Sequence, residues 1–368
     1  MPAVGAALTA EEAGIKALVL SGGHGVRLRP ITHTSAKQLV PVGNRPIIDF
    51  GLEAIAEAGI EDVGIVVGET HAEIKAYVGD GSRYGIAVTY IYQSAPLGLA
   101  HAVLTAEEFL ADEPFVMYLG DNLIAGGISE FVQHFVKSQP TAQILLAKVH
   151  DPERFGVAEL DGLGGVRRLL EKPADPPSDL ALVGVYLFSS RIMEAARAIQ
   201  PSARGELEIT DAIQWMIDAG DDVQSQIIEG WWKDTGQVVD LLEANRIVLD
   251  TLESRIAGSV DADSEVQGRV VIEEGAILVN SYVRGPATIG RGAKLVNTFI
   301  GPYTSVGRDC VLTDCEVEHS IILEKSRIEG IRRIEDSLIG KQVEVAPAAE
   351  KPRAFRLVLG DHSRVGLL

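Results

Sequence analysis

The chain has 368 residues, of which 46% are hydrophobic and 23% charged, enough apolar mass for a large core and too much for prevailing disorder. Its 33 Lys and Arg against 52 Asp and Glu give a formal net charge of −19, which excludes a sequence-independent nucleic-acid binder and requires that any polyanionic ligand meet a local basic cluster. The length corresponds to two domains, or one large domain with an appendage. Cys310 and Cys315 are the two cysteines, so there is neither a disulfide framework nor a C-x-x-C motif. Residues 1–15 read as an N-terminal extension that lacks the basic start and long apolar run of a signal peptide. No later apolar run reaches the roughly 18 residues needed to cross a bilayer, so a cytoplasmic protein with no membrane partner is expected.

From Lys16 onward, strand-length apolar runs alternate with helical patterns, the signature of a mainly parallel sheet covered by helices. The first strand is predicted over Lys16–Leu20 and ends at Gly22, Gly23 and Gly25. A helix begins near Pro46, repeats apolar side chains at Ile47, Ile48, Leu52, Ile55 and Ala56, and stops at Gly59. Val63–Val67, Val88–Tyr92 and Phe115–Leu119 read as strands, and Leu99–Leu110 and Ile128–Val136 as helices. Further strands at Ile144–Val149, Val157–Leu160, Val166–Leu170 and Leu182–Phe188 form a less regular section. A long helix from Val238 to Ile256 closes this domain at Gly258.

Beyond that point the period changes. Apolar residues recur five or six positions apart at Val260, Val266, Ile272, Leu278, Val283, Ile289, Leu295, Ile300, Val306, Val311, Val317, Ile322, Ile328, Ile334, Ile339 and Val345. Glycine often follows directly, as after Ile289, Ile300, Val306 and Ile339. No helix repeats in this way, and the pattern matches the hexapeptide turns of a parallel β-helix. The expected domains are therefore 16–258 and 259–350, with 351–368 as a cap. The flat outer faces of such a coil favour association, so a homo-oligomer is expected.

The loop Ser21-Gly22-Gly23-His24-Gly25-Val26-Arg27-Leu28-Arg29 follows a strand, where bare backbone amides can approach an anion. It lacks the Gly-Lys-Ser/Thr of a Walker loop, and Leu28 stands where a dinucleotide fingerprint has its third glycine. A tight turn is the alternative, but Arg27, Arg29 and Lys37 nearby suit a triphosphate. Asp121, at a strand end, and Asp234, in Trp232-Lys233-Asp234-Thr235-Gly236, either cap turns or together hold one Mg²⁺, which needs only one or two protein carboxylates beside substrate phosphates. Glu171-Lys172-Pro173 is a charged pair after a strand, either a solvated ion pair or part of a site. Trp231 and Trp232 precede Asp234, and each reads either as a core residue or as an aromatic face for a ligand ring, Trp232 being the preferred candidate. Cys310 and Cys315 read as packing residues, and His319 as a surface or interface residue rather than an acyl-transfer base.

Leu20-Ser21-Gly22-Gly23-His24-Gly25-Val26-Arg27-Leu28, Ser35-Ala36-Lys37-Gln38-Leu39, Gly120-Asp121-Asn122, Glu171-Lys172-Pro173, Gly205-Glu206-Leu207-Glu208-Ile209-Thr210-Asp211 and Asp234-Thr235-Gly236 occur in one order along the chain. In that order they resemble the sugar-1-phosphate nucleotidylyltransferases, and among these the long form of the glucose-1-phosphate thymidylyltransferases. The resemblance implies an α/β, Rossmann-like nucleotide-diphospho-sugar transferase domain followed by a C-terminal left-handed parallel β-helix. It implies transfer of a thymidylyl group from dTTP to glucose 1-phosphate, yielding dTDP-glucose and pyrophosphate, with Mg²⁺ on Asp121 and Asp234. Leu20, Gly22, Gly23, Gly25, Arg27 and Asp121 would hold the nucleotide, and Gln93 and Gly98 would read the pyrimidine edge. Gly156, Glu171, Lys172 and Tyr186 would hold the sugar phosphate, with Arg27, Lys37 and Lys172 as the catalytic cations. Val26 stands where the family more often has threonine, and Phe155 where a tyrosine is common before Gly156, so two hydroxyl contacts are lost. A uridylyl- or adenylyltransferase, with or without acetyl transfer on the β-helix, is the neighbouring alternative. A catalytically silent scaffold is the alternative of another class, and the retained charges at 27, 37, 121, 172 and 234 speak against it.

Overall fold

The computed structural model describes residues 10, 13–23, 25, 28–33 and 35–347. The expectations for His24, Val26, Arg27 and the 351–368 cap lie outside these residues, as does all but Ala10, Ala13, Gly14 and Ile15 of the N-terminal extension.

The described elements begin with strand β1 (Lys16–Ser21), the hairpin β2 (Pro41–Val42) and β3 (Arg45–Pro46), and helix α1 (Ile47–Glu57). They continue with β4 (Asp62–Val67), α2 (His71–Val78), β5 (Ala87–Tyr92), α3 (Leu99–Thr105), α4 (Glu107–Leu110), β6 (Phe115–Leu119), β7 (Asn122–Ile124) and α5 (Ser129–Ser138). Next come β8 (Ala142–Lys148), β9 (Gly156–Leu160), β10 (Val166–Glu171), β11 (Leu180–Phe188), α6 (Arg191–Ala198), α7 (Ile209–Asp218), β12 (Val223–Ile227), β13 (Trp232–Asp234) and α8 (Val238–Asp250). The main sheet runs β10-β9-β11-β6-β1-β4-β5, and β8 lies on β11 and carries β12 at its other edge. Strands β1, β4, β5 and β6 pair in parallel, with Ala17 opposite Val63 and Val116, and Val63 opposite Val88. Both faces of β1 are buried, so Ala17–Leu20 are all apolar rather than alternating.

Most predicted elements fall within two or three residues of the observed ones, with three kinds of departure. Leu99–Leu110 is two helices rather than one, α3 and α4 meeting at Ala106. Helices α2, α6 and α7 were not anticipated: α2 buries only Ile74 and Val78, and α6 is a short helix whose buried face is Ile192, Met193 and two alanines. The last helix ends at Asp250, not Ile256. Thr251 donates its hydroxyl back to the Val248 carbonyl at 2.8 Å, and Arg255–Ile256 becomes the first strand of the coil, with Ile256 opposite Ile272.

Contacts group the described chain into two compact units, one of residues 15–23, Ala36–Gln38 and Ile48–Asp234, the other of Gly25–Ser35, Leu39–Ile47 and residues 235–347. This differs from a single cut at 258, because α8 and two early segments go with the coil. Within the second unit, the fully buried Asn245 of α8 accepts from the Gly43 amide (2.8 Å) and the Ser305 hydroxyl (2.6 Å) and donates to the Tyr303 carbonyl (3.0 Å). Asn44 donates to the Val306 carbonyl at 2.8 Å.

The coil consists of short parallel strands in three sheets, of six, six and four strands, consistent with a left-handed β-helix. Ile272, Ile289, Val306, Ile322 and Ile339 stack on one side, and Leu278, Leu295, Leu312, Ile328 and Val345 on the next. Leu312 therefore occupies the inward place assigned to Val311 from spacing; it is fully buried and Val311 is not. Where the coil turns, Asn280, Asn297 and Asp314 adopt left-handed backbone, and their side chains hydrogen-bond in a ladder at 2.8 and 3.0 Å. The glycines that follow the inward residues have a different cause: a Cβ on Gly290 would stand 2.7 Å from the Arg308 nitrogen of the next coil.

Cys310 and Cys315 are both buried in this core, as expected of packing residues. Burial pushes the Cys310 thiol up to about 11 and raises that of Cys315 as well. The native protein at pH 8 should thus leave a thiol reagent such as DTNB unconsumed over minutes, and denaturation should release both thiols. Rapid labelling without denaturation would mean that the coil opens. No helix among the described residues is long and apolar enough to cross a membrane.

Candidate active site

Two distant aspartates meet because of a small second sheet. β13 pairs antiparallel with β7, placing Asp234 opposite Asn122, next to Asp121. The Lys37 ammonium hydrogen-bonds to Asp121 Oδ2 and stands 3.7 Å from Asp234 Oδ1. Asn122 donates to Asp121 at 2.9 Å, while its own carbonyl oxygen accepts from the Trp232 indole (2.6 Å) and the Gly184 amide (3.2 Å). Burial pushes the Asp121 carboxyl up, yet the Lys37 charge and hydrogen bond, with the Asn122 amide, hold it below the usual carboxylate range.

These aspartates line a cavity of about 230 Å³. Its other lining includes Gly156, Glu171, Lys172, Tyr186, Arg204 and Trp232. Gly156 sits opposite Glu171 in the β9–β10 pair, and a side chain there would collide with Thr210 at 2.8 Å. Arg204 bonds Glu171 at 3.1 Å and Glu208 at 2.8 Å, and Lys172 lies 3.4 Å from Glu171. Phe155 packs edge-on against Trp232 with centroids 5.1 Å apart. Burial, then the Glu171 charge, raises the Tyr186 phenol above its ordinary range, so it is a neutral hydrogen-bonding group. The lining carries five carboxylates, Asp121, Glu171, Glu206, Glu208 and Asp234, against three cations, Arg154, Lys172 and Arg204. Lys37, on Asp121 and near Asp234, adds a fourth cation to this set, and the acids still exceed the cations by one among the described residues.

The glycine loop adjoins this end of the sheet. The Gly120 amide donates to the Leu20 carbonyl at 3.0 Å, so Leu20 has only its backbone near the site; its side chain is buried in the core. A Cβ on Gly22 would stand 3.1 Å from Gln93 Oε1, whereas Gly23 faces open space. Gly98, at φ +108°, lets the 97–100 loop lie on Leu207, whose amide donates to the Leu97 carbonyl at 2.8 Å. Among the described residues, the buried Ser21 hydroxyl and the Gln38 carbonyl oxygen lack a hydrogen-bond partner. Both flank Gly120, and buried oxygens of this kind are normally satisfied by water or a bound molecule.

The structure thus brings Lys37, Asp121 and Asp234 together, groups Gly156, Glu171, Lys172 and Tyr186 in the same cavity, and sets Gly22 against Gln93. Arg27 is outside the described residues. His319 faces Asp336 at 2.5 Å on the coil, apart from any cluster of possible metal ligands. Sequence reasoning missed Arg204, which stands one residue before the quoted Gly205-Glu206-Leu207-Glu208 segment, and Asn122, named only within the segment Gly120-Asp121-Asn122.

Residues 16–251 match the nucleotidyl transferase family model. A glucose-1-phosphate thymidylyltransferase of Streptomyces griseus is 60% identical over 350 residues, covering 95% of this chain and 99% of that protein. One of Streptomyces antibioticus is 59% identical over 352 residues, with 95% and 99% covered. Among solved structures, a Bacillus anthracis protein described as a glucose-1-phosphate thymidylyltransferase in complex with sucrose has 36% identity and a TM-score of 0.61, covering 66% of this chain and 98% of its own. On a match of this length and identity, the chain belongs to the nucleotidyl transferase family, in its glucose-1-phosphate thymidylyltransferase branch.

Proposed function

We propose that the protein transfers a thymidylyl group from dTTP to glucose 1-phosphate, releasing pyrophosphate, at the cavity between Asp121 and Lys172. The observation that carries this reading is the meeting of Lys37 with two carboxylates that line the same cavity as Glu171, Lys172 and Arg204. A phosphate oxygen of the sugar phosphate attacks the α-phosphorus, and the bond to the bridging oxygen breaks as pyrophosphate leaves with the electron pair. No protein nucleophile takes part. Lys172 and Arg204 bind and orient the sugar phosphate, Glu171 accepts from sugar hydroxyls, and Lys37, with Arg27, holds the departing phosphates. Fixed charge and alignment are what such a reaction between two anions needs.

Nucleotidyl transferases of this kind are generally dependent on a divalent metal. The donor set here fits Mg²⁺: two adjacent carboxylates, and a lining whose excess of acid a dication would offset. Asp121 and Asp234 would hold it, and it would supply charge neutralisation on the phosphates. A cytoplasmic setting and self-association belong to the same reading.

Pyrophosphate release measured with dTTP, UTP, ATP, CTP and GTP against glucose 1-phosphate tests it. Turnover should be highest with dTTP, stop with EDTA and return with Mg²⁺; activity confined to ATP would overturn the base assignment. Lys172→Met should lower kcat/KM for glucose 1-phosphate on the order of 10²-fold with little change in melting temperature.

A further inference from the structure

Gln93 follows β5 directly, and its amide nitrogen donates to the Val67 carbonyl at 2.9 Å, so its backbone is held by the neighbouring strand. The side chain is only 8% exposed. Its Nε2 lies 2.9 Å from Nδ1 of His101, one turn into α3, while its Oε1 lies against Gly22. The other group near Nδ1 is the Thr105 hydroxyl at 3.4 Å, but that hydroxyl already donates to the His101 carbonyl at 2.8 Å. With the Gln93 amide placed this way, Nδ1 accepts from Gln93 and the ring carries its proton on Nε2.

A primary amide has a donor end and an acceptor end, and it can rotate by half a turn unless something holds it. Held with Nε2 toward His101, the Gln93 amide offers Oε1 and one remaining N–H. That pair matches thymine, whose N3–H is flanked by carbonyl oxygens. Turned over, the same amide matches cytosine, whose N3 accepts and whose amino group donates. We propose that His101 is a positioning residue that locks the Gln93 amide in the orientation that reads thymine, and so sets the preference for dTTP over dCTP. The inference rests on the proposed reading of Gln93 as the group that faces the base.

The test compares kcat/KM for dTTP, dUTP and dCTP in pyrophosphate release. His101→Phe removes the acceptor at similar size, and His101→Asn keeps an oxygen near the place of Nδ1. In His101→Phe the dTTP/dCTP ratio should fall about tenfold or more, the dTTP/dUTP ratio should hold because both bases share one edge, and His101→Asn should recover most of the loss. An unchanged dTTP/dCTP ratio, or an equal fall for all three nucleotides, would overturn the proposal. Gln93→Leu separates the two layers: if it keeps the thymine preference, the reading of Gln93 itself falls, whereas its collapse beside an unaffected His101→Phe removes only His101. Should His101→Phe not fold, ¹⁵N shifts of the native ring, assigned by their loss in His101→Asn, decide. Protonated Nε2 with bare Nδ1 supports the lock, and protonated Nδ1 overturns it.

Discussion

Asp121→Asn should lower kcat by 10²–10³-fold in the presence of saturating dTTP, glucose 1-phosphate and Mg²⁺, because it removes one of two charges meant for the cation while keeping the oxygen in place. Its effect on stability should be small, about 1 kcal/mol. Lys37 keeps Asp234 within 3.7 Å, so the ammonium is not stranded, and the Asn122 amide still finds an oxygen at residue 121. Asp234→Asn should behave alike, and raising Mg²⁺ should restore part of the rate in either variant. Stopped assays alongside urea unfolding read both quantities. Unchanged rates with both variants would remove the metal from Asp121 and Asp234.

Gly98→Ala should lower both stability and nucleotide affinity. The backbone there has φ +108° and ψ 168°, a region that side chains rarely enter, and an added Cβ would stand 2.3 Å from the Leu207 carbonyl oxygen. Strain of this kind costs about 1–3 kcal/mol, and forced displacement of packed backbone a similar amount again. The 97–100 loop would have to lift from Leu207, breaking the Leu97–Leu207 and Ala100–Leu207 hydrogen bonds and shifting the start of α3, which carries His101. The urea midpoint should fall and dTTP affinity should drop at least tenfold. A variant with native stability and native KM would show that the loop can be rebuilt without cost.

The opening sheet and the coil were both legible in the amino-acid sequence, for the same reason: burial repeats there with a short period. β1, β4 and β6 are apolar runs because both their faces are buried, β5 is an apolar run at the sheet edge, and the coil shows one inward side chain per sheet at each pass. Val311 was chosen over Leu312 because spacing alone cannot tell which of two adjacent apolar residues turns inward. The site was legible as separate motifs and not as an arrangement. Nothing in Trp232-Lys233-Asp234 says that it lies antiparallel to Asn122-Leu123-Ile124, which is what brings Asp234 to Asp121. Nor does the count of lysines and arginines reveal that Arg204 spends its charge on Glu171 and Glu208.

The hydrogen bonds from Gly43 to Asn245 and from Asn44 to Val306 close spans of 202 and 262 residues. During synthesis at about 5–20 residues per second, the hairpin that follows Lys37 must wait on the order of 10–50 s for its partners to leave the ribosome. Translation order therefore runs against assembly order here. The stretch just after the glycine loop is made first and fastened last, so a stalled or prematurely ended chain would hold most of its sheet while lacking the fastening for that stretch.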